Sequence, residues 1–81
     1  MIFDQYDGFG AARLRFMERE WRLTPRQSQV LAHLVQGAPN KDIATKLGCA
    51  MRTVEVHVAA ILRKARAESR AQLVALFWGR Q

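Results

Sequence analysis

The stretch from Asn40 to Arg66 constrains this chain more than any other. A short helix signal runs from Asn40 to Leu47, Gly48 interrupts it, and a longer helix signal follows from Arg52 towards Arg66. Asn40 suits the capping position, because its side-chain oxygen can accept a free N–H of the first turn. Pro39 stops any upstream helix from running on, and Asp42 places negative charge where the helix dipole favours it. Gly48 fits the left-handed residue that closes a helix. In the longer helix Val54, Val58, Ile61 and Ala65 step by four, three and four, which is the inward stripe of an amphipathic helix. Arg52, Thr53, Glu55, Val56, Ala59 and Arg63 lie on the other side. Two helices joined by a short glycine turn, the second with a basic outer face, make a helix-turn-helix with a DNA-recognition helix. An ordinary corner between two helices of a small domain is the competing reading of the same spacing.

Helix signals flank this unit. Thr24 and Gln27 form a capping box with Pro25 at the first helical position. Val30, Leu31, Leu34 and Val35 give that helix its inward face, and Gly37 ends it. Ser69 with Gln72 is a second capping box, opening a helix that continues Leu73-Val74-Ala75-Leu76-Phe77-Trp78 to Gly79. Six apolar residues in succession cover all sides of that helix. One side can pack on the core, and the other would be wet in a monomer and suits a dimer contact. Its competitor is that Phe77 and Trp78 cover the N-terminal segment.

Residues 1–22 form an aromatic-rich extension. Gly8 and Gly10 argue against a helix over residues 1–10. Residues 11–22 read as an amphipathic helix with Leu14, Met17 and Trp21 on one side and a Glu18–Arg22 pair at helical spacing. This segment suits packing on the body, a dimer contact, or the binding of another molecule. Its charges cancel. Residues 23–81 carry nine Lys/Arg against Asp42, Glu55 and Glu68, which is the whole net charge of +6. A basic helical body with a neutral extension points to a polyanion as partner of the body. The cations are spread over several short helices, which weakens the alternative of a helix lying on a membrane surface.

Together the residues Leu23-Thr24-Pro25-Arg26, Val30-Leu31, Gly37, Asn40-Lys41-Asp42-Ile43-Ala44, Leu47-Gly48, Arg52 to Val58, Ile61-Leu62-Arg63-Lys64 and Ser69 to Val74 resemble the LuxR/GerE (NarL/FixJ-like) type of bacterial helix-turn-helix domain. The resemblance covers residues 23–76. It implies an all-α domain of four helices, here with an extra N-terminal helix. The third helix would lie in the major groove, the fourth would make the dimer contact, and the function would be regulation of transcription. The chain departs from the family pattern at Ala50, where a capping Ser is usual, and at Cys49, Met51, Gln27, Gln29 and Ala65-Arg66.

The expected DNA-binding residues are Lys41, Lys46, Arg52, Thr53, Glu55, Val56, Ala59, Arg63 and Lys64. Lys41, Arg52 and Thr53 sit at helix N-termini, which favour phosphate. Lys46, Arg63 and Lys64 are further phosphate candidates. Glu55 can accept from a cytosine amino group, and Val56 and Ala59 can touch thymine methyls. Glu55 can instead pair with Arg52 or Arg63. The expected partner surface is Leu73, Val74, Leu76, Phe77 and Trp78, giving a homodimer on two half-sites of double-stranded DNA. No cofactor, metal site, small-molecule ligand or enzyme activity is expected, since Cys49, His33 and His57 match no zinc spacing. Cys49 reads as a buried inert thiol and His57 as a packed, hydrogen-bonded histidine. One cysteine, no membrane-length apolar run and no signal-peptide pattern at Met1 fit the cytoplasm. The expectation is a dimeric regulator without a sensor domain of its own. The alternatives are the effector half of a longer response regulator and an antagonist that heterodimerises with another LuxR-type regulator.

Overall fold

A computed structural model describes residues 8–79 as five α-helices: α1 Gly8–Glu20, α2 Pro25–Leu34, α3 Asn40–Leu47, α4 Met51–Ala65 and α5 Arg70–Trp78. The aromatics Phe3 and Tyr6 lie outside the described residues. α4 is the centre, packed against α2, α3 and α5, and α1 closes the domain by lying on α5 and α2. The inward stripe falls where the spacing predicts. Val54 and Ile61 are fully buried, Val58 nearly so, and they meet Val30, Leu31, Leu34 and Ile43 in one core with Leu73 and Phe77. Burial of these side chains is the main force holding α4 in place.

Helix ends are closed in two ways. At N-termini, Thr24 and Gln27 make both bonds of their capping box, at 3.1 Å each. Ser69 Oγ accepts from the Gln72 N–H at 3.0 Å, but the Gln72 side chain turns to the N–H of Glu68 rather than completing the box. At C-termini the chain repeatedly turns through one left-handed residue. After α3 this is Gly48 (φ 68°), with Gly48 N–H bonded to Thr45 O and Cys49 N–H to Ala44 O. The same doubled bond pattern closes α1 around Arg22 (φ 53°) and α4 around Arg66 (φ 56°). Left-handed backbone in a bulky residue is uncommon and costs roughly 1–2 kcal/mol.

Three local expectations are corrected. Asn40 does not cap α3. Pro39 holds the extended capping position without a side-chain bond, and Asn40 Oδ1 accepts from Arg70 Nη1 at 2.7 Å. α1 begins at Gly8 rather than Ala11, because packing overrides the low helix propensity of glycine: Gly10 and Met17 are buried, and Ala11 and Leu14 pack on the core. The Glu18–Arg22 pair is not made. Arg22 has already left the helix, and Glu18 accepts a hydrogen bond from Ser28 Oγ, pinning α1 to α2.

Candidate nucleic-acid interface

The outer side of α4 is an open surface held by a rigid back. Arg52, Thr53, Glu55, Val56, Ala59 and Arg63 are all exposed, while Val54, Val58 and Ile61 are buried behind them. Val56 is 55% exposed, one of three large hydrophobic side chains exposed among the described residues, with Phe16 and Met51. Water is a poor neighbour for Val56, and a thymine methyl in a groove would be a better one. Arg52 Nη1 lies 3.7 Å from Glu55 Oε1, with side chains 84% and 47% exposed. A pair this exposed contributes little stability and is readily exchanged for other partners. Both residues therefore remain available to bases or phosphates.

The beginning of α4 is electrostatically open. Ala50 stands at the capping position and offers no side-chain acceptor. No side chain caps the first-turn N–H groups, although that of Thr53 bonds Ala50 O at 3.0 Å, and the positive end of the helix dipole lies beside Arg52 and Thr53, an arrangement suited to an anion. Lys41 at the start of α3 and Lys46 in its last turn are exposed as well.

Several cations are not free. Lys64, expected at the phosphates, donates to Arg22 O at 2.9 Å and Gln27 Oε1 at 2.8 Å. Arg26 donates to Leu47 O at 2.9 Å, and Arg70 to Ala38 O at 2.7 Å. Arg13 donates to the carbonyls of Phe77 and Leu76. Each satisfies carbonyls at or just past the end of another helix, where a cation also meets the negative end of the dipole. In the sequence, these internal clamps look the same as surface charge. A further exposed cation, Arg66, is the left-handed residue that closes α4, a closure its residue type does not announce. The available signal was the apolar Ala67 directly after it, which packs with Leu62 on the core as a closing residue does.

The expected partner surface on α5 is smaller than the run of six apolar residues implied. Leu73 and Phe77 are 0% exposed, inside the subunit's own core. Val74, Leu76 and Trp78 are half-buried, and the Trp78 indole donates to Val35 O at 3.1 Å. α1 lies along α5, so none of the six is exposed. Cys49 is half-buried at the α3–α4 turn rather than buried. His57 is half-buried too. The His33 pKa is held below the ordinary histidine range, first by burial and then by the charge of Lys46. Among the described residues no group of three His, Cys, Asp or Glu could hold a metal, and no helix is long and apolar enough to cross a membrane.

Comparison with known proteins agrees with this geometry. The model of the family "Bacterial regulatory proteins, luxR family" matches residues 22–77. The transcriptional regulatory protein FixJ of Rhizobium meliloti is 48% identical over 52 residues, 64% of this chain and 26% of that protein. The nitrate/nitrite response regulator NarL of Escherichia coli K12 is 43% identical over 51 residues, 63% of this chain and 24% of that protein. NarP of the same strain, also a nitrate/nitrite response regulator, is 44% identical over 55 residues, 68% of this chain and 26% of that protein. The chain thus spans about a quarter of the length of these relatives. No solved structure gives a significant match. A buttressed, outward-facing second helix after a left-handed glycine turn, lying within the matched segment, has one consistent explanation: the chain belongs to the LuxR family of bacterial regulatory proteins and is a helix-turn-helix DNA-binding domain.

Proposed function

We propose that α4 enters the major groove and selects sequence, in a regulator of transcription that works in the cytoplasm as a homodimer. The observation that carries this reading is the exposed row Arg52, Val56, Ala59, Arg63 on a helix whose back is buried. Phosphate contacts from Lys41, Lys46, Arg52, Thr53 and Arg63 would supply most of the affinity, and Glu55, Val56 and Ala59 the choice of bases. Lys64 is set aside as a phosphate contact, because its ammonium is already engaged. The reading face is short of long donors, so two half-sites about 34 Å apart would raise specificity. The half-buried Val74, Leu76 and Trp78 on α5 are the proposed contact between copies, with Leu73 and Phe77 bracing them from inside. The proposal applies equally to a stand-alone regulator without a sensor domain and to the DNA-binding part of a longer response regulator.

The test is selection from a randomised duplex pool, repeated with Glu55→Ala. The expected result is an enriched site with twofold symmetry and a changed base preference in the variant. An unchanged preference removes Glu55 as a reader. No enriched site, together with loss of another LuxR-type regulator's gel shift on mixing, would replace this reading by the antagonist one.

A further inference from the structure

Two arginines occupy the left-handed positions that glycine fills after α3. Arg22 closes α1 at φ 53° and Arg66 closes α4 at φ 56°. Strained backbone that glycine would relieve calls for a reason in the side chain. Both side chains are exposed, and neither has a hydrogen-bond or ion-pair partner among the described residues. The two closures adjoin, because Lys64, two residues before Arg66, donates to the carbonyl of Arg22 at 2.9 Å. Arg63 is exposed on the last turn of α4, three residues before Arg66. Three exposed arginines, Arg22, Arg63 and Arg66, therefore stand at the C-terminal ends of α1 and α4, which the Lys64 bond ties together.

We propose that this corner is a second phosphate-binding site, in which Arg22 and Arg66 grip the DNA backbone beyond the recognition groove. This rests on the DNA-binding reading. The length of α4 supports it: 15 residues at 1.5 Å each make about 22 Å, against a major groove about 12 Å wide. With the first turns of α4 among the bases, its C-terminal end stands at the rim, where the phosphates are. The alternative of a purely structural role is weak, since the helix closures use only backbone groups and need no charge. Arg22 lies at the very edge of the family-matched segment, on the turn that joins α1 to it. α1 thereby contributes its closing residue to the footprint.

The variant that tests this keeps the backbone comfortable while removing the charge. Arg22→Gly with Arg66→Gly is compared with wild type and with Arg22→Lys, Arg66→Lys on a 24-base-pair duplex of random sequence. Binding is followed by fluorescence anisotropy from about 50 to 300 mM salt. The glycine pair is expected to melt no lower than wild type and to lower the slope of log affinity against log salt by close to two units, at about 0.9 for each phosphate no longer neutralised. The lysine pair should keep the slope. Arg22→Asn with Arg66→Asn, neutral but tolerant of left-handed backbone, repeats the test if the glycine pair folds poorly. A slope unchanged in the neutral variants, or kept by neither pair, overturns the corner site and leaves the recognition helix standing. A wild type that binds no duplex at all overturns the DNA-binding reading, and this site with it.

Discussion

Ala50→Ser should stabilise the whole domain. Ala50 precedes α4 with φ −74° and ψ 150°, the backbone of a capping residue, yet no side chain accepts a first-turn N–H there. The two capped helices of the same chain show what is missing. Thr24 accepts from Gln27 N–H at 3.1 Å and Ser69 from Gln72 N–H at 3.0 Å, each three residues on. A serine at position 50 would reach the N–H of Thr53 in the same way. Capping residues are typically worth about 1 kcal/mol. Thr53 N–H already makes a tight bond to Ala50 O at 3.0 Å, so the gain falls in the lower half of the usual range, about 0.5–1 kcal/mol. Because α4 touches α2, α3 and α5, this gain is felt by the cooperative unit rather than by one frayed end. For a domain of this size the melting temperature should rise by roughly 2–8 °C. Thermal unfolding followed by circular dichroism measures it, with Ala50→Val as the control that adds bulk without an acceptor. A serine variant that melts at or below wild type would mean that α4 does not start at Met51 or that its first-turn donors are already satisfied.

Two further outcomes separate structural from DNA-contacting charge, and a third concerns the pH dependence of stability. Lys64→Ala removes bonds to Arg22 O and Gln27 Oε1 and should cost about 1 kcal/mol in chemical denaturation while leaving the salt slope of DNA binding unchanged; a lower slope with unchanged stability would return Lys64 to the phosphates. Lys41→Ala should do the reverse, lowering the slope by about one unit on every duplex with no loss of stability. The folded state holds the His33 pKa down, so between that value and about 6.5 the unfolded chain binds more protons than the folded one. Stability is therefore complete above about pH 6.5 and declines as the pH falls below it, and His33→Gln should flatten that part of a denaturation series.

The sequence was most informative where periodicity and turn chemistry agree. The stripe Val54, Val58, Ile61 and the left-handed Gly48 are read directly, because spacing decides which side of a helix is inward and few residues tolerate positive φ. The exposed outer side of α4 followed as the complement of that stripe. What could not be read depends on contacts between residues far apart in the chain. Lys64 and Arg70 are charged residues in sequence and carbonyl clamps in space, bonding over 42 and 32 positions. Arg22 and Arg66 sit at left-handed closures that sequence rules assign to glycine. The α5 run was legible as apolar, but which of its sides meets the core and which meets α1 is fixed only by packing.

DNA recognition of the proposed kind requires the outer side of α4 to be the surface that meets the duplex. Amide chemical-shift mapping with a selected duplex addresses this directly. The largest changes should fall on Arg52, Thr53, Glu55, Val56, Ala59 and Arg63, with the buried Leu31 and Leu34 of α2 little moved. Changes concentrated instead on α1 and α5, with α4 silent, would contradict it.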